Sequence, residues 1–173
     1  MKLNKLIVAL GMVMAAGSAD AADQGHGTIT FTGSIIDSPC SITAESVNQT
    51  VELGQISNSA LNQGLTSAPK EFSIELEQCD ASKLTSGASV AFTGATTGSN
   101  SEMLSITGTA KGAGIVITDR SGSPLKLDGT ASATQEINDG SNKLTFAAYV
   151  QADGESVTPG DFSSTADFTL SYN

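Results

Sequence analysis

The chain has 173 residues, enough to enclose one hydrophobic core and hardly two. Its 18 acidic and 8 basic residues give a net charge of −10, a balance that repels nucleic acid and anionic lipid. With 18 Gly, no Trp and few aromatics, the composition suits thin strands and turns better than a helical bundle.

Lys2 and Lys5 precede an apolar run from Leu6 to Ala16, and Ala19-Asp20-Ala21 then offers small residues at the two positions a signal peptidase reads. Residues 1–21 therefore read as an export signal, with the mature chain starting at Ala22. A membrane anchor needs about 20 apolar residues, whereas Gly11, Gly17 and Ser18 interrupt this run. No later stretch is long and apolar enough to span a bilayer, so no membrane insertion is expected after cleavage. Without Lys2, Lys5 and Asp20, the acidic residues fall to 17 and the basic ones to 6, a net charge of −11.

Along the mature chain, alternation of apolar and polar residues recurs and no 3.6-residue period is sustained, so the chain reads as all-β. Gly25, Gly27, Ile29 and Phe31 alternate with His26, Thr28, Thr30 and Thr32, which predicts an opening strand. Periodicity leaves open whether that strand tucks into its own sheet or docks elsewhere. Cys40 and Cys79 are the two cysteines of an exported chain with a single histidine, which favours a disulfide over a zinc site. Closing a loop of roughly 40 residues would stabilise the domain by about 4 kcal/mol on the chain-entropy model.

Val51-Glu52-Leu53 is predicted as a short strand. Phe72, Ile74 and Leu76 mark a longer one that delivers Cys79, followed by strands at Val90 and Phe92 and at Ile115 and Ile117. The last of these ends in the turn Asp119-Arg120-Ser121-Gly122, and Leu144, Phe146, Ala148 and Val150 mark another strand. Clusters at 94–101 and 138–142 are predicted as turns. After Thr158-Pro159-Gly160, the residues Phe162, Ser164, Ala166, Phe168, Leu170 and Tyr172 share one parity, predicting a single strand with one apolar face to the end of the sequence. Several short strands separated by turns argue for a β-sandwich. No Ser-His-Asp arrangement can be built convincingly around His26 and no phosphate-cradling loop occurs, so catalysis, cofactors and metals find no support.

These pieces, in this order, resemble the structural subunits of chaperone-usher fimbriae, the type 1 and P-type pilins. The resemblance rests on Gly27 to Gly33 followed by Ile35 to Cys40, on Val51 to Gln55, on Phe72 to Cys79, on Gly114 to Asp119 with Gly122 and Pro124-Leu125, and on Gly160 fourteenth from the end with Tyr172 penultimate. It implies an incomplete immunoglobulin-like β-sandwich completed by a donor strand from a neighbouring subunit. Residues 22–33 would form the donor extension, led by Gly27, Ile29 and Phe31, and residues 34–173 the pilin domain. Gly160, Phe162, Phe168, Leu170 and Tyr172 would border the acceptor groove and contact a chaperone. The implied partners are other copies of the chain and related pilins, a periplasmic chaperone and an outer-membrane usher, and the implied location is a fimbrium on the bacterial surface. Two alternatives stay open: a minor adapter or receptor-binding fimbrial subunit, and a self-contained secreted β-sandwich that binds a ligand.

Overall fold

The computed structural model describes residues 26–98 and 100–173, which divide between Ile36 and Asp37 into an N-terminal segment and a domain. The expected export signal, residues 1–21, lies outside the described residues. Residues 26–38 form no regular element, so the described part of the expected opening strand is not a strand. Alternation records which faces a strand would present; the strand itself forms only where a second edge takes its backbone hydrogen bonds.

The domain is built from strands β1 (Ser41–Ile42), β2 (Lys70–Cys79), β3 (Ala88–Gly94), β4 (Thr96–Thr97), β5 (Asn100–Ser105), β6 (Thr107–Gly108), β7 (Ala113–Thr118), β8 (Asp128–Ala131), β9 (Gly140–Ala152), β10 (Phe162–Ser163) and β11 (Ala166–Tyr172). One sheet runs β1-β2-β9-β7-β5-β4, a second runs β11-β3-β8, and β10 pairs with β6. The ladders are antiparallel. Two short helical turns, Ala44–Val47 and Asn58–Asn62, lie between β1 and β2 and escape a reading by strand periodicity.

The inner faces meet around three rings. Phe72 and Phe146 lie directly across the β2–β9 ladder, and Phe92 of β3 meets Phe146 edge-on at 5.1 Å and Phe72 at 6.3 Å. Such edge-to-face contacts fix the two sheets against each other beyond simple area burial. Ile74, Leu76, Leu144 and Val150 complete this core beside Val90. All six residues of β7 are buried, as expected for a strand with neighbours on both sides and an unbroken apolar run.

Three expectations need correction. Val51 to Leu53 belongs to no strand, because no neighbouring edge pairs with it. The C-terminal run is two strands and not one: β10 pairs with β6 in one place and β11 with β3 in another. At the break, the Ser164 hydroxyl donates to the Ser105 carbonyl at 2.8 Å, replacing a ladder bond where the chain changes partner. The predicted turn clusters are not purely turns: in 94–101 Thr96 and Thr97 pair back onto β5, and in 138–142 Gly140 to Asn142 already belong to β9, paired with β2.

Candidate functional site

A cleft of about 1170 Å³ opens into the domain. One wall is the chain from Gly160 to Phe168, and the other is residues 48–58. Its floor is apolar, formed by Phe72, Phe92, Leu104, Ile115, Ile117 and Val150. The charged residues along it are Glu52, Asp161 and Asp167.

The cleft exists because, among the described residues, β11 has a neighbour on one side only. β11 is the first strand of its sheet, and its whole length is laddered to β3. Asn173 and Gly87 exchange backbone hydrogen bonds, N–H to carbonyl at 2.9 and 3.3 Å, just beyond the ladder. Antiparallel alternation then gives Ser171, Thr169 and Asp167 the bonds to β3, and turns the N–H and C=O groups of Ala166, Phe168, Leu170 and Tyr172 toward the open edge. Those same four residues point their side chains inward and are each only half-buried. Their counterparts on β9, Leu144, Phe146, Ala148 and Val150, are buried to 6% exposure or less. Among the described residues, the inner face of β11 is thus only partly covered and its outer edge has no strand beside it, in the same place.

The opposite wall, residues 48–58, belongs to no ladder among the described residues. Thr43 N–H donates to the Glu75 carbonyl at 3.0 Å, and the buried Ser46 hydroxyl accepts from Glu75 N–H at 2.9 Å, which ends the pairing of β1 with β2. Beyond it the Gln49 side-chain amide donates to the Ser73 carbonyl at 3.2 Å, while Leu53 and Ile56 pack against the core. Sequence reasoning did not assign this wall to the site, although the matching parity of Val51 and Leu53 was the available signal.

The sequence-model of the family described as "Fimbrial protein" matches residues 29–173. This chain belongs to the fimbrial protein family. It is 56% identical over 175 residues to Fimbria A protein of Serratia marcescens, with 99% of each chain covered. It is 51% identical to Major MR/P fimbria protein of Proteus mirabilis, again with 99% of each covered. Among solved structures, it is similar to a chain in the structure of a chaperone-usher pilus, with a TM-score of 0.78, 34% identity, and 87% of this chain and 97% of that one covered. The P pilus rod subunit PapA gives a TM-score of 0.72 at 34% identity, over 79% of this chain and 100% of that one. The sandwich is the immunoglobulin-like fold of these pilins.

Within this fimbrial domain, Gly160, Phe162 and Phe168 line the cleft, while Leu170 and Tyr172 continue the same strand face past its deep part. Gly160 also has a packing role: a Cβ there would overlap the Thr109 hydroxyl oxygen and the Ala110 backbone nitrogen. Cys40 and Cys79 form a disulfide, buried to 3% and 6% exposure, tying the start of the domain to the end of β2. Gly27, Ile29 and Phe31 lie in the N-terminal segment, where Ile29 and Phe31 are 78% and 88% exposed. Among the described residues no helix is long and apolar enough to cross a membrane.

Proposed function

We propose that this chain is a structural subunit of a chaperone-usher fimbria that polymerises by donor-strand exchange. Residues 1–21 direct export and are removed, residues 22–33 of one subunit supply a strand, and the domain of the next subunit accepts it. The observation that carries this reading is the cleft floored with apolar side chains and bordered by the unpaired edge of β11. An open edge beside exposed apolar surface is an aggregation hazard for a free subunit. A periplasmic chaperone covers it first, and a neighbouring subunit then replaces the chaperone at an outer-membrane usher, a known mode of β-strand addition. The relatives' names, with fimbria and pilus rod subunits among them, support the same assignment and a surface fimbrium as its destination. The role is structural, and the reading assigns the chain no catalytic step.

The incoming strand satisfies the edge groups of β11 and encloses Ile29 and Phe31, each contributing about 1.5–3 kcal/mol if fully buried. The test compares the mature chain with a version carrying a second copy of residues 22–33 through a short linker after Asn173. The appended form is expected to be a markedly more stable monomer that no longer polymerises. Equal stability and equal polymerisation of the two forms would sink the proposal.

A further inference from the structure

We infer that Ser46 is a positioning residue for strand capture: its hydroxyl stands in for a main-chain carbonyl, turns the chain off the edge of β2, and so sends residues 48–58 to line the cleft. This rests on the strand-accepting role proposed above and names the residue that sets the cleft's second wall. The β1–β2 register pairs Ser41 with Glu77 and Ile42 with Leu76. Carried on, it would set Thr43 opposite Glu75, Glu45 opposite Ser73 and Val47 opposite Glu71. Half of the next rung is made, since Thr43 N–H donates to the Glu75 carbonyl at 3.0 Å. The return bond goes elsewhere. Glu75 N–H donates to the Ser46 hydroxyl at 2.9 Å. The Thr43 carbonyl, released from the ladder, accepts from Ser46 N–H at 3.0 Å and Val47 N–H at 3.2 Å and opens the helical turn Ala44–Val47.

The substitution is built into the fold. Ser46 is 4% exposed and lines the cleft, and the Thr43 hydroxyl donates to it at 2.9 Å, which fixes its orientation. A short hydroxyl of this kind competes with the main chain for its partners and diverts a strand into a turn. Further along the same edge, the Gln49 side-chain amide donates to the Ser73 carbonyl at 3.2 Å, the acceptor that the continued register gives to Glu45 N–H. Side chains therefore answer β2 at 75 and again at 73, and the main chain beyond Thr43 is kept off its edge. Residues 48–58 are free to stand across the cleft from Gly160 to Phe168, with Leu53 and Ile56 against the core.

The test is Ser46→Ala in the mature chain. Without the hydroxyl, Glu75 N–H takes the Thr43 carbonyl, residues 44–47 follow β2, and the wall is drawn away from the cleft. A labelled synthetic peptide of residues 22–33 is expected to bind the S46A chain about fivefold more weakly, the range of one neutral hydrogen bond spent on re-forming the wall. Hydrogen exchange at the Glu45 amide should slow in the same variant, as it gains the Ser73 carbonyl. A variant that is less stable in urea, yet binds the peptide as the parent does with unchanged Glu45 exchange, shows a merely structural serine and overturns the inference. Should S46A fail to fold, Gln49→Ala, at an exposed position, takes its place: peptide affinity lowered about twofold supports the inference, and unchanged affinity overturns it. If the unsubstituted chain does not bind the peptide, the strand-accepting role itself fails, and this inference with it.

Discussion

The turn after β7 hangs on one carboxylate. Asp119 Oδ1 accepts from the Ser121 hydroxyl at 2.6 Å, the Ser121 N–H at 2.8 Å and the Ser123 N–H at 2.9 Å. The Ser121 hydroxyl foremost, then the Ser123 N–H, hold this carboxyl below the ordinary aspartate value of 3.8. A group whose folded pKa is depressed stabilises the fold above its unfolded value, and that contribution is lost as pH falls through the lower, folded value. Asp119→Ala is therefore expected to be less stable than the parent at neutral pH, with the gap closing as pH drops below 3.8. Urea unfolding midpoints measured from pH 7 down to about pH 2 check this, the window following from the two protonation states. Because the carboxylate is exposed, the effect is small and shrinks further in salt.

At the scale of the strand, alternation along β11 separates folding from assembly. Asp167 N–H belongs to the set bonded to β3, whereas Ala166 N–H faces the open edge. Proline at 167 should cost the domain a ladder bond and ring strain, visible as a lowered urea midpoint. Proline at 166 should leave the lone domain close to its original stability, yet remove a donor that the incoming strand needs. Binding of a peptide of residues 22–33 is expected to weaken about fivefold at 166, the equivalent of roughly 1 kcal/mol. The reverse ordering would mean that the edge assignment is wrong.

Other elements show how far alternation can be read. β2, β3, β7 and β9 were legible because each has several apolar residues at period two or an unbroken apolar run. β1, β4, β6 and β10 have two residues each, too few for any period. In β2 the parity of Phe72, Ile74 and Leu76 does not extend to Cys79. The register shifts between Leu76 and Cys79, and Gln78 adopts a positive φ of 54°. This bulge turns Cys79 inward to meet Cys40, a correction set by the partner strand and the disulfide.

Across the whole molecule, the Cys40–Cys79 bridge spans 39 positions and encloses both helical turns, one cleft wall and most of β2. Reduction is expected to lower stability by about 4 kcal/mol on the chain-entropy model. Urea titrations with and without reductant measure it directly, and an unchanged midpoint would show that packing alone holds this region. Because the bridged loop contributes residues 48–58, the reduced chain should also bind the 22–33 peptide more weakly.

The sequence by itself determined the β class, the cysteine pair and the apolar parity of both chain ends, because side-chain period and composition are local properties. The parity of Phe162 and Phe168 marked the face they would turn inward, whereas that both border a cleft is a matter of the fold. Tertiary structure decided the rest. Val51 to Leu53 and residues 26–32 carry strand-like patterns yet form no strand, because a strand exists only when another edge completes its hydrogen bonds. The same rule leaves β11 open on one side: residues 166, 168, 170 and 172 carry an ordinary core-strand pattern, and only the fold leaves them without a second neighbouring strand among the described residues.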